Sequence, residues 1–207
     1  MTSRASPCVL SVSEHAGWAY VLCVTTSGEV PSVVERRRVT LIEAGVPTQP
    51  YHHEATAMSD DRANALIARV RQSIESQSTA ALRRIVSELA PAHAVVGLAI
   101  RQSPFADLPE DYADVRTSYR LLCSADGMLY QRALCRAARE HGLDVWECRR
   151  GGEMAVAAQA LGVTPAAIEE FVSRTGRPAG PPWTEEHRRA YAMGIAVIAD
   201  HVGSVRL

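Results

Sequence analysis

Histidine stands close to a carboxylate in three short segments of the chain. The residues concerned are Glu14, His15, His52, His53, Glu186 and His187. Imidazole together with carboxylate is suitable ligation for divalent ions such as zinc and manganese, and carboxylates alone suit magnesium. These residue types therefore predict either a metal site or a polar site for a charged ligand, provided that the fold brings the three segments together.

The first half of the chain predicts three strands and a loop. Short apolar or β-branched runs, separated by turn residues, are typical of antiparallel strands. They cover Cys8–Val12, Trp18–Thr25 and Val33–Ile42. Residues 43–58 contain two prolines and a glycine and predict a loop, in which "YHHE" lies.

Helical periodicity and apolar runs alternate in the rest of the chain. The predicted elements are, in order, a helix from Ser59 to Pro91, a central strand over Ala94–Ile100, a helix best defined over Ala125–Glu140, a strand over Leu143–Cys148, and helices after Gly152, the last capped by Thr184. With right-handed crossovers, this order predicts an α/β fold. Its sheet is mixed and five-stranded, in the order 3-2-1-4-5, with helices on both faces.

The predicted topology brings the candidate residues to one edge of the sheet. Ligands of open α/β sheets gather outside the carboxyl ends of the parallel strands. Glu14 and His15 follow the first strand, Arg101 follows the fourth, and the "YHHE" loop and the start of the last helix are expected at the same edge.

Composition limits the classes of protein to consider. A chain of 207 residues with 47% hydrophobic content is expected to form one domain over residues 1–207. The net charge of -1 argues against strong non-specific nucleic-acid binding. Apolar stretches are too short for a membrane span, so we expect a cytoplasmic protein without a membrane partner. All 22 basic residues are arginine, which is typical of a GC-rich bacterial genome.

The order of elements resembles the ribonuclease H-like fold, and its details resemble the RuvC-like resolvase branch of that fold over nearly the whole chain. The first strand of that branch ends in Asp-Pro-Gly before a Gly-aromatic step. Here "VLSV" ends at Ser13, and "GW" makes the step. The fourth strand of that branch ends in Glu and is followed by Phe, where this chain has Arg101 and Phe105.

The last helix of that branch carries a His-x-x-Asp or paired-Asp element before small residues, and here "HRRA" begins at His187. The resemblance therefore puts the carboxylates of the branch at positions that hold Ser13, Arg101 and Ala190 in this chain. A slip of one residue in the match would put Glu14 at the first of these positions.

The resemblance implies cleavage of phosphodiesters by two metal ions, and Arg101 changes that expectation. Such cleavage needs carboxylates that hold two ions about 3.5–4 Å apart. A guanidinium stays protonated, and like unit charges about 4 Å apart repel by roughly 4 kcal/mol at an effective dielectric of 20. A standard magnesium pair is therefore not expected. Arg101 fits either a surface salt bridge or a phosphate grip.

Three hypotheses remain open. The first is a divergent RuvC-like domain that engages nucleic acid or a phosphate-bearing ligand, with its nuclease activity lost or rebuilt. The second is a catalytically silent scaffold for a protein partner, and the third is a small-molecule enzyme with a histidine-rich metal site. The catalytic candidates are Glu14, Arg101 and Glu186, and the candidate ligands for Mg, Mn or Zn are His15, His52, His53 and His187.

Two geometric expectations accompany these hypotheses. Because adjacent parallel strands end at the same edge, Arg101 is expected within reach of Ser13 or Glu14. If His52 and His53 serve a site, they are expected to point inward over the end of the first strand, near His15 or His187.

Overall fold

A mixed five-stranded sheet forms the centre of the computed structural model, which describes residues 5–175 and 180–207. The strands are β1 (Ser6–His15), β2 (Trp18–Ser27), β3 (Val30–Thr40), β4 (His93–Arg101) and β5 (Asp144–Cys148). Their order is β3-β2-β1-β4-β5. The first three strands are antiparallel, while β1, β4 and β5 run parallel. The predicted fold class, strand order and placement of helices on both faces are confirmed.

Two groups of helices cover the two faces of the sheet. The helices are α1 (Asp60–Leu89), α2 (Tyr112–Arg116), α3 (Tyr119–Glu140), α4 (Glu153–Leu161), α5 (Pro165–Thr175) and α6 (Glu185–Val202). Helices α1–α3 share one hydrophobic core with the sheet, and α4–α6 share the other. Within the described ranges, no helix is both long and apolar enough to span a membrane.

Alternation along β1 assigns successive side chains to opposite faces. Leu10 and Val12 belong to the core under α1 and α3, whereas Val9 belongs to the core under α6. Helix α6 lies very close to the sheet, because a Cβ on Gly194 would meet Val24 Cγ2 at 2.5 Å. This close approach packs the middle of α6 directly against β1 and β2.

Three of the differences between the observed elements and the sequence expectation lie near the candidate residues. β1 continues to His15, so the candidate residues at its end belong to the strand itself. Helix α3 begins at Tyr119, ahead of the expected Ala125, because the Ser118 side chain caps it by accepting the Leu121 N–H. The expected loop over residues 43–58 contains a short 3-10 turn, Glu54–Ala57.

Candidate functional site

The parallel strands β1, β4 and β5 end together at His15, Arg101 and Cys148, and we call this the carboxyl edge. The sheet divides the edge into an α3 side and an α6 side. Glu14 has the same parity along β1 as Val12 and faces the α3 side, where it lines a cavity with residues of α3. His15 faces the other way and contacts Glu186 of α6. Glu14 and His15 are adjacent in sequence but therefore lie on opposite faces of the sheet.

Glu14 and Arg101 form a buried ion pair at the centre of the carboxyl edge. Arg101 Nη2 lies 3.4 Å from Glu14 Oε1 and 3.5 Å from the Glu14 carbonyl oxygen. The Arg101 side chain is only 9% exposed, and the Glu14 side chain is 10% exposed. The expectation that Arg101 reaches Glu14 is confirmed.

The pair leaves polar atoms unsatisfied. Glu14 Oε2 and Arg101 Nε are buried and have no hydrogen-bond partner among the described residues. Burial raises the pKa of Glu14, and the positive charges of Arg101 and Arg150 oppose that shift. A buried carboxylate oxygen without a donor, on a residue that lines a cavity, is a group to which a ligand N–H or O–H could donate.

A cavity of about 660 Å³ opens from Glu14 toward α3 and the segment after β5. Its basic lining residues are Arg120, Arg149 and Arg150. All three are exposed. The other walls come from the segment after β4, including Ser103, and from the face of α3 that carries Gln131. Three mobile guanidinium groups around one opening form a local positive patch on a chain of nearly neutral net charge.

The α6 side of the carboxyl edge is packed. His15 Nε2 lies 3.0 Å from Glu186 Oε2. The His15 ring stacks on Trp18, with 3.9 Å between ring centroids. Arg38 lies over Trp18 at 4.3 Å from the ring centroid. His15 and Glu186 are thus occupied by each other and by aromatic packing.

His187 is completely buried at the start of α6 and contacts aromatic rings. Its ring centroid is 4.2 Å from that of Tyr20 and 5.4 Å from that of Trp183. Its Nδ1 accepts the backbone N–H of Thr184 at 3.0 Å. Burial, with the positive charge of Arg36, lowers the pKa of His187 to about 4.

The hydrogen bond from Thr184 decides what His187 can do. Because Nδ1 accepts a proton donor and the ring is neutral at pH 7, the remaining proton is on Nε2. A metal needs a nitrogen lone pair, and neither nitrogen of His187 offers one in this arrangement. Its Nε2 is buried and has no hydrogen-bond partner among the described residues. The ring itself packs against Tyr20 and Trp183.

The positions at which the RuvC-like branch carries carboxylates do not fit a metal pair. Ser13 is buried, Ala190 has no ligating atom, and Arg101 is cationic. In addition, the Ser11 hydroxyl donates to the Ala190 carbonyl, which closes the space between β1 and α6. No three His, Cys, Asp or Glu side chains within residues 5–175 and 180–207 are grouped as metal ligands.

His52 and His53 are exposed and contact each other, with 5.3 Å between their ring centroids. Their segment packs on the α3 side, where Asp126 accepts the backbone N–H groups of Tyr51 and His52. The expectation that both imidazoles turn inward near His15 or His187 is wrong. Asp126 holds this segment from α3, and that contact is invisible in the local sequence.

The arginine run on β3 is used within the fold. Arg36 donates to the carbonyls of the Gly180–Pro182 segment, which leads into α6. Arg37 pairs with Glu35 and Glu88. Together with Arg38 over Trp18, these contacts give each member of the run an intramolecular partner.

Sequence reasoning missed the three arginines of the cavity. Arg149 and Arg150 directly follow β5, a parallel strand, and precede two glycines. The rule that ligands gather beyond parallel strands applies to β5 as well as to β1 and β4, so this signal was present. Arg120 gave no such signal, because its place depends on how α3 packs.

Comparisons with known proteins agree with this fold. The chain matches the Thermus thermophilus RuvC structure at 14% identity and a TM-score of 0.53, covering 96% of this chain and 98% of that one. It matches T. thermophilus RuvC in complex with a Holliday junction substrate at 13% identity and a TM-score of 0.54, covering 97% and 98%. No protein-family model and no curated protein sequence matches the chain. The chain therefore has a RuvC-like, ribonuclease H-like fold.

Proposed function

We propose that this chain is a divergent RuvC-like domain, spanning residues 1–207, that binds nucleic acid through the α3 side of its carboxyl edge and does not cleave it by the two-metal route. The observation that carries the proposal is the cavity lined by Arg120, Arg149 and Arg150, with Glu14 of the buried Glu14–Arg101 pair in its wall. Solved RuvC in complex with a Holliday junction substrate has a similar fold, which supports a nucleic-acid partner.

The arginines account for the binding half of the proposal. Guanidinium groups bind phosphate oxygens in bidentate geometry and stay charged at every physiological pH. Of the arginines around the cavity, Arg149 and Arg150 have exposed side chains on a short loop, so they can adjust to a backbone. A net charge of -1 gives no general attraction to nucleic acid, so binding depends on this patch.

The α6 side accounts for the catalytic half. Arg101 is a permanent cation at a position where a metal ligand would be needed, and Ser13 and Ala190 supply no carboxylate. The Nδ1 lone pair of His187 already accepts the Thr184 backbone N–H. Two-metal cleavage requires a carboxylate cluster, which these side chains do not form. The proposed partner is therefore a nucleic acid that is held rather than cut, in the cytoplasm, without a bound metal.

Charge reversal at the cavity tests the binding half. Fluorescence anisotropy with four-way branched and linear duplex DNA, over a range of salt concentrations, is compared for wild type and the double variant Arg149→Glu with Arg150→Glu. Each arginine that contacts phosphate contributes about 1 to the slope of log K against log salt, so the double variant is expected to lower the slope by about 2. Its affinity at low salt is expected to fall by about ten-fold or more.

Arg69→Glu with Arg83→Glu provides the matched control, since both arginines are exposed on α1. This second double reversal changes the net charge equally and is expected to change the slope by less than the cavity variant does. Equal losses from the control and the cavity variant would contradict binding at the cavity. Absence of any DNA binding by the wild type would favour the protein-interaction scaffold instead.

Cleavage assays with magnesium and manganese test the catalytic half. Branched, single-stranded and hybrid substrates are expected to remain intact at protein concentrations that saturate binding. Metal-dependent cleavage that Arg149→Glu with Arg150→Glu abolishes would overturn the proposed loss of activity while leaving the binding site in place.

A further inference from the structure

The cavity on the α3 side is larger than a backbone phosphate needs. Pockets for small molecules occupy about 300–1,000 Å³, and this one has about 660 Å³. A second cavity of about 390 Å³ shares Gln102, Ser103, Pro104 and Gln131 with it and adds Phe105 to the lining. The two spaces adjoin and together accept a ligand with a bulky part beyond its phosphate.

The polar groups in the wall suit a ligand that both donates and carries negative charge. Glu14 Oε2 is an acceptor without a donor, and its side chain is 90% buried. Ser103 Oγ is also buried without a partner among the described residues. Inorganic phosphate at pH 7 satisfies the arginines, but its O–H donors belong to the same small charged group, so donation to the carboxylate also brings negative charge next to it. A ligand with N–H or O–H groups beside its phosphate satisfies both.

We propose that this cavity takes a single nucleoside phosphate, whose phosphate binds Arg120, Arg149 and Arg150 while an N–H or O–H of its base or sugar donates to Glu14 Oε2. The inference rests on the proposed function and names the unit recognised by the same site. Nucleobases and ribose present such donors, and carboxylates accept from exocyclic amino groups. Phe105 offers an apolar surface to the base in the adjoining space.

The nucleoside phosphate has two possible sources with the same chemistry. It is either a free nucleotide or one nucleotide of a bound strand, extruded from its neighbours or located at the end of the strand. Competition separates the sources. A mononucleotide that displaces an oligonucleotide shows that the strand occupies the same site. Simultaneous binding would uphold the nucleotide site and would contradict binding of the strand at the cavity arginines.

Gly127 allows the cavity to be blocked with little risk to the fold. It lies on α3, is exposed, lines the cavity, and a Cβ added there meets nothing within 4 Å. Glycine inside a helix costs about 0.5–1 kcal/mol relative to alanine, so substitution favours the helix. Gly127→Leu fills the cavity, and Gly127→Ala is the matched control.

Titration calorimetry with adenosine, guanosine, cytidine and uridine 5′-monophosphates, ribose 5-phosphate and inorganic phosphate provides the test. At least one nucleotide is expected to bind about ten-fold or more tightly than inorganic phosphate, as one hydrogen bond to a charged group gives. Gly127→Leu is expected to remove that binding without lowering the melting temperature, and Gly127→Ala is expected to keep it.

Glu14→Gln separates the nucleoside contact from the phosphate contact. This variant is expected to lower nucleotide affinity while leaving inorganic phosphate affinity unchanged or raised, because the repelling negative charge is removed. The inference is wrong if no nucleotide binds more tightly than inorganic phosphate, or if Gly127→Leu binds nucleotides as wild type does. The proposed function fails separately, if DNA binding is indifferent to Arg149→Glu with Arg150→Glu.

Discussion

The two sides of the carboxyl edge differ in how their polar groups are satisfied. On the α6 side, His187 Nδ1 accepts the Thr184 backbone N–H. His15 pairs with Glu186 and stacks on Trp18. On the α3 side, Glu14 faces a cavity with a free oxygen, and arginines stand exposed around the opening. The histidines of the α6 side are thus engaged within the fold, whereas the α3 side carries a cavity with exposed positive charge.

This difference depends on which face of the sheet each side chain at the edge occupies. At the end of a strand, one residue decides the face, since Ser13 and Glu14 point to opposite sides of the sheet. The carboxylate of Glu14 therefore lies on the α3 side and lines the cavity there. The variants below either remove this difference or measure it.

The largest expected effect comes from breaking the buried pair with Arg101→Met. Removing one partner leaves the Glu14 carboxylate buried without its countercharge, which typically costs about 3–5 kcal/mol. For a chain of this size we expect the melting temperature to fall by roughly 10 °C, measured by circular dichroism.

The double variant Arg101→Met with Glu14→Gln is the control for that loss. It removes both charges, so it is expected to be more stable than Arg101→Met alone. A double variant that is as unstable as the single variant would mean that packing of the arginine stem, rather than the buried charge, sets the cost.

The next largest expected effect is a loss of folding stability at low pH, which arises from His187 on the α6 side. The folded protein lowers the pKa of His187 from 6.5 to about 4, so the unfolded chain binds the proton more readily. The stabilisation from the neutral ring is present above the unfolded pKa and is lost as the pH falls toward 4, by about 2–3 kcal/mol. His187→Gln keeps an acceptor for the Thr184 N–H and is expected to remove this pH dependence.

Urea unfolding of wild type and His187→Gln between pH 7 and pH 4 measures the difference. Parallel losses of stability in the two proteins would show that His187 is not held neutral by its surroundings.

The α3 side has an opposite and smaller pH dependence at Asp126. Burial raises the pKa of Asp126 to about 6, against the effect of the N–H groups of Tyr51 and His52. The folded protein therefore favours the protonated acid, and stability from this group is lost as the pH rises from about 4 to 6, by about 2 kcal/mol.

Asp126→Asn removes the titration and is expected to flatten this part of the profile. The comparison with wild type, by urea unfolding at pH 4, 5 and 6, gives the contribution directly. A wild type that gains stability relative to Asp126→Asn over this range would contradict the raised pKa.

Periodicity and turn residues sufficed to predict the sheet. The apolar runs and the helical spacing gave the strand order, and strand order alone brought Arg101 to Glu14. These properties depend on local pattern and on the handedness of crossovers, both of which a single sequence contains.

The side chains that line the site were harder to predict because their placement depends on distant contacts. Asp126 holds the segment of His52 from 74 positions away along the chain. The Thr184 backbone N–H determines which nitrogen of His187 carries the proton, through a hydrogen bond that forms only in the folded chain. Arg120 reaches the cavity through the packing of α3. The residue types therefore predicted a candidate site at the carboxyl edge, but not on which side of the sheet it lies.

Hydrogen exchange of the free and DNA-bound protein, followed by mass spectrometry of peptides, tests most directly which face binds. The account predicts slower exchange on binding at the start of α3 and in the loop of Arg149 and Arg150, with no change at the start of α6. Slower exchange confined to residues 184–190 and to Trp18–Tyr20, with the α3 side unchanged, would contradict it.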